Sequence, residues 1–141
     1  WFFHAGLSKY AGEAFSAEGW LVNGTSGAPA WLHGFLVWVA NTPWLLEFTN
    51  VMVPLGETLI GLGLLLGALT RLAAFFGAFL MVFFYLGNAA WSHGYVNGDL
   101  MGLLLFVTLM VLGAGRVLGV DALLERTRFV RRHSWLRYLL A

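Results

Sequence analysis

Glu57 is a carboxylate set inside residues 51–69, a stretch otherwise apolar and small except for the Thr58 hydroxyl. A bilayer-spanning helix needs ~20 apolar residues. An ionisable group inside such a span costs at least ~2.5–3.5 kcal/mol on insertion scales. The same sequence supplies other polar groups in or beside apolar segments: His4 and Lys9 in WFFHAGLSKY, Tyr85 and Asn88 closing residues 72–88, and Asp99 opening residues 99–118. A carboxylate at that last position also suits the positive end of a helix dipole. Read for chemistry, Glu57, His4 and Asp99 form a proton-exchanging set suited to a quinol headgroup. Lys9, Tyr85, Asn88 and His93 are the candidate substrate-binding residues, with Lys9 attracting an anion. The competing reading makes Glu57 a structural carboxylate, paired with Lys9 or His4 or bonded to the carbonyl that Pro54 frees one turn earlier.

The elements that position these groups follow from composition. Of 141 residues, 60% are hydrophobic and 11% charged, against ~25% charged in a typical soluble domain, and the mean hydropathy is +0.77. That describes an integral membrane protein. The absence of cysteine excludes disulfides, thiolate metal sites and Cys-ligated iron–sulfur clusters. The four histidines show no ligand-pair spacing, so no metal is expected. For His33 and His93, in loops at the interface, the competing reading is an ordinary surface histidine, and no nucleic-acid partner is expected. The chain opens on Trp1 without the basic start and cleavage site of a signal peptide. The expectation is a start inside a transmembrane helix, with roughly ten or more residues absent.

The fold expected is an all-α integral membrane protein. Residues 1–120 form a four-transmembrane-helix bundle, with helices at about 1–10 (truncated), 51–69, 72–88 and 99–118. A short interfacial helix at about 30–40 lies in the outer loop, where Pro29 suits its first turn. Residues 121–141 form a basic amphipathic cytoplasmic tail, with five Arg against Asp121 and Glu125, suited to anionic headgroups. Arg71, Arg116 and the tail hold seven of the eight basic residues. The positive-inside rule then places both termini in the cytoplasm of a multi-pass cell-membrane protein. Trp20, Trp31, Trp38, Trp44 and Trp91 form an outer aromatic belt, and Trp135 and Tyr138 mark the inner interface. Gly63 and Gly67, Ala73 and Gly77, and Gly115 and Gly119 are small-xxx-small pairs for close helix approach within the monomer. Asn23-Gly24-Thr25 fits a glycosylation sequon. All the polar candidates gather toward the outer leaflet, which points to an outward-facing pocket.

Three motifs carry a family resemblance: Gly6-Leu-Ser-Lys9; the run from Glu57-Thr-Leu-Ile-Gly61 through Gly63 and Gly67 to Thr70-Arg71; and Gly113-Ala-Gly-Arg-Val-Leu-Gly-Val-Asp121. Together they resemble the DoxX family of four-helix membrane proteins, most closely its DoxD-like members, the large subunit of an archaeal thiosulfate:quinone oxidoreductase. The likeness covers nearly the whole chain except the basic tail. It implies a subunit working with exchangeable quinone, oxidising thiosulfate to tetrathionate beside a second membrane or membrane-anchored subunit. Lys9, Glu57 and Arg71 occupy its motif positions, with Gly61 and Gly67 as structural glycines. Other members of the family accompany respiratory complexes, so the alternative is a non-catalytic accessory subunit. A small transporter or channel is disfavoured by the apolar inner half.

Overall fold

Pro43 begins the longest helix. A proline with fixed φ and no N–H suits a first helical turn, and α3 runs Pro43–Leu66, 24 residues, from that point. The expected start at residue 51 is therefore two turns late, because Asn41-Thr-Pro43 initiates a helix where it reads as a loop. The helix stops at Gly67, whose φ of +61° lies in the left-handed region. Glycine enters that region without a Cβ clash, and Ala68 N–H donates to the Gly63 carbonyl at 2.8 Å to close the end.

The computed structural model describes residues 1–11, 14–89, 91 and 94–140, and every regular element among them is helical. In chain order these are α1 (Phe2–Ser8), a π-type turn (Trp20–Gly24), α2 (Ala30–Ala40), α3, α4 (Thr70–Asn88), α5 (Gly98–Leu112), α6 (Gly115–Leu118), α7 (Val120–Leu124), α8 (Arg128–Arg132) and a closing 3-10 turn (Ser134–Tyr138). The helix expected over 99–118 is interrupted: α5 ends at Gly113, with φ +59°, and α6 follows as a separate turn. Asn97 caps the start of α5, its Oδ1 accepting from Leu100 N–H at 3.0 Å. Among the described residues, only α3 and α4 are long and apolar enough to cross a membrane; α2 and α5 are shorter apolar helices.

Packing pairs α1 with α3, α3 with α4, and α4 with α5. Glycines set the closest approaches. A Cβ on Gly61 would overlap the backbone of Phe3, and one on Gly6 would press on Thr58 and the Pro54 carbonyl. Gly77 receives the Phe106 ring, and Gly102 receives the Met81 sulfur. One core cluster gathers Phe2, Ile60, Ala74, Ala78, Met81 and Phe106, with Phe2 and Phe106 edge to face at 4.9 Å. A second packs the Ala17–Leu21 region against α2 through Leu32 and Leu36. Leu59, Leu65, Phe75, Phe79 and Leu105 remain exposed, an apolar surface far beyond the isolated patches of a soluble monomer.

Two neighbouring glycines of α3 predict opposite outcomes. Gly61→Ala drives a methyl into the Phe3 backbone, which cannot rotate away, and should lower stability by about 1–3 kcal/mol. Gly56→Ala meets nothing within 4 Å, and should be neutral or stabilise by about 0.5–1 kcal/mol through reduced backbone freedom. Thermal melts of the two variants in the same detergent check the contrast.

The residues after 120 do not stand apart as a tail. Asp121 is fully buried; its Oδ1 and Oδ2 accept from Leu69 N–H at 2.7 Å and Thr70 N–H at 2.9 Å. Its own N–H donates to the Gly67 carbonyl at 2.9 Å, and Leu72 N–H donates to the Leu139 carbonyl at 3.2 Å. Val130 and Leu140 are buried as well. This segment forms short helical turns, and Asp121 and Leu139 bond it to the start of α4.

Candidate functional site

The register of α1 against α3 decides where Glu57 points. Phe3 meets Gly61, and Gly6 meets Thr58. One further turn along α1 brings Lys9 beside Glu57, since residues three and four apart share a helix face. The Lys9 Nζ lies 2.5 Å from Glu57 Oε2. The Glu57 side chain is 6% exposed and that of Lys9 is 24% exposed. Nζ also donates to the Ala5 carbonyl at 3.3 Å and sits 5.4 Å from the centre of the Phe15 ring, within cation–π range. Glu57 is thus a buried carboxylate paired with a cation that reaches the surface. Among the described residues, no hydrogen bond joins it to the carbonyl that Pro54 frees.

Above the pair lies an open groove of about 330 Å³, lined chiefly by Lys9, Tyr10, Phe15, Glu47, Asn50 and Pro54. That volume is at the lower end of small-molecule sites, ~300–1,000 Å³. Asn50 Oδ1 accepts from Ala17 N–H at 2.7 Å, which ties the segment after α1 across the groove. Glu47, Asn50, Pro54 and Glu57 recur at helical spacing along one face of α3. Glu47, Asn50, Tyr10 and Phe15 escaped the sequence reading, and the signal for the first two was that periodicity, hidden by starting the helix at residue 51.

The other candidates assemble elsewhere. Asn88 Nδ2 donates to Asp99 Oδ2 at 2.8 Å, and Asn88 Oδ1 accepts from Trp20 Nε1–H at 2.8 Å. The Tyr85 hydroxyl donates to the Tyr95 carbonyl at 3.0 Å. Asn88 and Asp99, with Trp20, therefore form a second polar cluster where α4 meets α5, Tyr85 bonds separately to Tyr95, and none of them has a hydrogen bond to the Lys9–Glu57 pair among the described residues. His4 is exposed on α1 and takes no part in that pair. His93 lies outside the described residues. His33 is half-buried, its Nδ1 2.9 Å from the buried Thr25 hydroxyl, which also donates to the Leu21 carbonyl at 2.7 Å. That leaves the sequon's Thr25 side chain fully engaged. Arg71 Nε donates to the Met110 carbonyl at 3.3 Å, where a cation complements the C-terminal end of α5. Gly61 and Gly67 are the contact glycines already described.

A protein-family model described as TQO small subunit DoxD matches residues 8–141. The chain belongs to the DoxD family. The match takes in Lys9, Glu57 and Arg71 and runs through the Arg-rich C terminus, beyond the reach of the motif resemblance. The family description reads small subunit where the resemblance led to a large one. Searches among curated proteins and among solved structures gave no match. With two helices fit to span a bilayer and this family membership, the DoxD chain is a membrane protein.

Proposed function

We propose that this DoxD chain is the small membrane subunit of a thiosulfate:quinone oxidoreductase, working beside a large subunit, with the Lys9–Glu57 groove as its quinone-reactive site. The observation that carries the reading is a carboxylate buried in a spanning helix and joined, through one lysine, to a groove with aromatic walls. Tyr10 and Phe15 offer ring faces to a planar headgroup, Pro54 and Val51 an apolar wall, and Lys9 a donor for a headgroup oxygen. A quinone in that groove would accept the electrons of thiosulfate oxidation. Lys9 would orient it, and Glu57, in contact with Lys9 Nζ, would hold the proton exchanged at the headgroup oxygen. Asn88 and Asp99, which lie apart from that groove, would with Tyr85 and His93 be the residues that meet the anionic donor, and His4 would remain a lesser proton carrier.

In this reading α1, α3, α4 and α5 cross the membrane, α2 lies in the outer interface, and both termini face the cytoplasm. Support comes from charge: Arg71, Arg116 and the arginines after residue 120 gather at one end of the bundle, and Lys9 stands toward the other. The groove then faces outward. Glu57→Gln should abolish thiosulfate-dependent reduction of a soluble quinone analogue by the purified complex while the complex stays assembled. Turnover within twofold of wild type would end the proposal.

One observation favours an accessory, non-catalytic subunit instead. Glu57 and Lys9 satisfy each other, and Lys9 is further held by the Ala5 carbonyl, as a purely structural pair would be. That reading expects no quinone in the purified complex and a silent Glu57→Gln.

A further inference from the structure

Five arginines at the base of the bundle have no counter-ion among the described residues. Arg126, Arg128, Arg131, Arg132 and Arg137 are all exposed, and none forms a salt bridge there. The two acidic residues of the segment are already committed. Asp121 is buried against the start of α4, and Glu125 pairs with Arg116 at 2.9 Å. Guanidinium groups are suited to bidentate capture of phosphate.

The arginines are also held in place. Asp121 and the Leu139 carbonyl bond this segment to the start of α4, and Val130 and Leu140 are buried, so the basic surface is part of the folded protein and not a free tail. It lies at the end of the two helices long enough to span a bilayer. Trp135 and Tyr138, 59% and 79% exposed, lie on either side of Arg137 along the chain. Aromatic rings of this kind settle at headgroup level.

We propose that this surface is a binding site for the phosphate headgroups of anionic phospholipids, with Arg126, Arg128, Arg131, Arg132 and Arg137 as its ligands and Trp135 and Tyr138 as its interfacial anchors. Its occupant is lipid, because charge complementarity and exposed interfacial aromatics coincide at the end of a spanning hairpin. The proposal is independent of the redox reading of the Lys9–Glu57 groove.

The test uses the whole chain, delipidated in mild detergent and titrated with phosphatidylglycerol or phosphatidylcholine, with bound lipid counted by native mass spectrometry. Wild type should retain phosphatidylglycerol in preference to phosphatidylcholine, and the preference should weaken steeply with salt. Replacing Arg128, Arg131 and Arg132 together by Gln should weaken phosphatidylglycerol binding on the order of a hundredfold, each charge contributing about one unit of headgroup attraction. The triple Lys variant, which keeps the charge, should retain most of it. Equal retention of the two lipids by wild type, or an undiminished preference in the Gln variant, would overturn the proposal. So would displacement of phosphatidylglycerol by millimolar inorganic phosphate, or tighter binding of a single-stranded oligonucleotide, since either would identify a different ligand.

Discussion

Lys9→Met will destabilise the protein by about 3–5 kcal/mol, the range for leaving one member of a buried ion pair uncompensated. The Glu57 side chain is 6% exposed, and Lys9 Nζ is the hydrogen-bond partner found for its carboxylate. Methionine keeps much of the length and apolar stem of lysine, so packing between α1 and α3 changes little and the loss isolates the charge. The double variant Lys9→Met with Glu57→Gln should recover most of the stability, because a neutral amide is far cheaper to bury than a lone carboxylate. Chemical unfolding in detergent of the wild type, both single variants and the double variant gives the coupling energy directly. A double variant as unstable as Lys9→Met would show that the lysine acts through packing and not through Glu57.

Asp121→Ala should cost a similar amount, about 3–5 kcal/mol, since it removes two hydrogen bonds to a charged acceptor at ~1.5–3 kcal/mol each. The two donors, Leu69 N–H and Thr70 N–H, belong to the turn that starts α4, and Asp121 is completely buried against them. A negative charge there also complements the positive end of the α4 dipole. Asp121→Asn keeps one acceptor oxygen but presents an amide donor to the second N–H, so it should fall between alanine and wild type. Hydrogen exchange at Leu69 and Thr70 offers a local readout: both amides should lose protection in Asp121→Ala before those in the middle of α4 do. Unchanged exchange at those two positions would mean that α4 is capped by something other than Asp121.

The class of the molecule was legible because lipid exposure and burial both demand apolar residues, and Leu, Gly, Ala, Val and Phe dominate residues 51–118. The Lys9–Glu57 contact was within reach too, as a lysine at the end of one apolar segment and a carboxylate inside another are a natural pair. What the residues could not supply was register. The meeting of Phe3 with Gly61 is a long-range packing event, and without it His4 and Lys9 were equal candidates for Glu57. Likewise, Tyr85, Asn88 and Asp99 share an end of the bundle with Glu57, yet Trp20 draws Asn88 into a separate network. Helix ends failed for local reasons. Pro43 suits a loop turn and a first helical turn equally well, and Gly113 ends α5 inside a run apolar enough to continue. Asp121 was the hardest to place. It opens an arginine-rich segment of the sequence, and only the close approach of Gly119 to Gly67 carries it beneath α4.

The same clamp sets an order of events during synthesis. The amides of Leu69 and Thr70 wait for an acceptor 52 and 51 positions further along the chain. At ~5–20 residues per second, that is a delay of roughly 3–10 s after α4 begins to emerge from the ribosome. Throughout that interval the hairpin of α3 and α4 has its glycine stop and its apolar faces but no lock on its turn. The turn is locked only once Asp121 has been made, and a chain halted before that residue is a hairpin still open at its base.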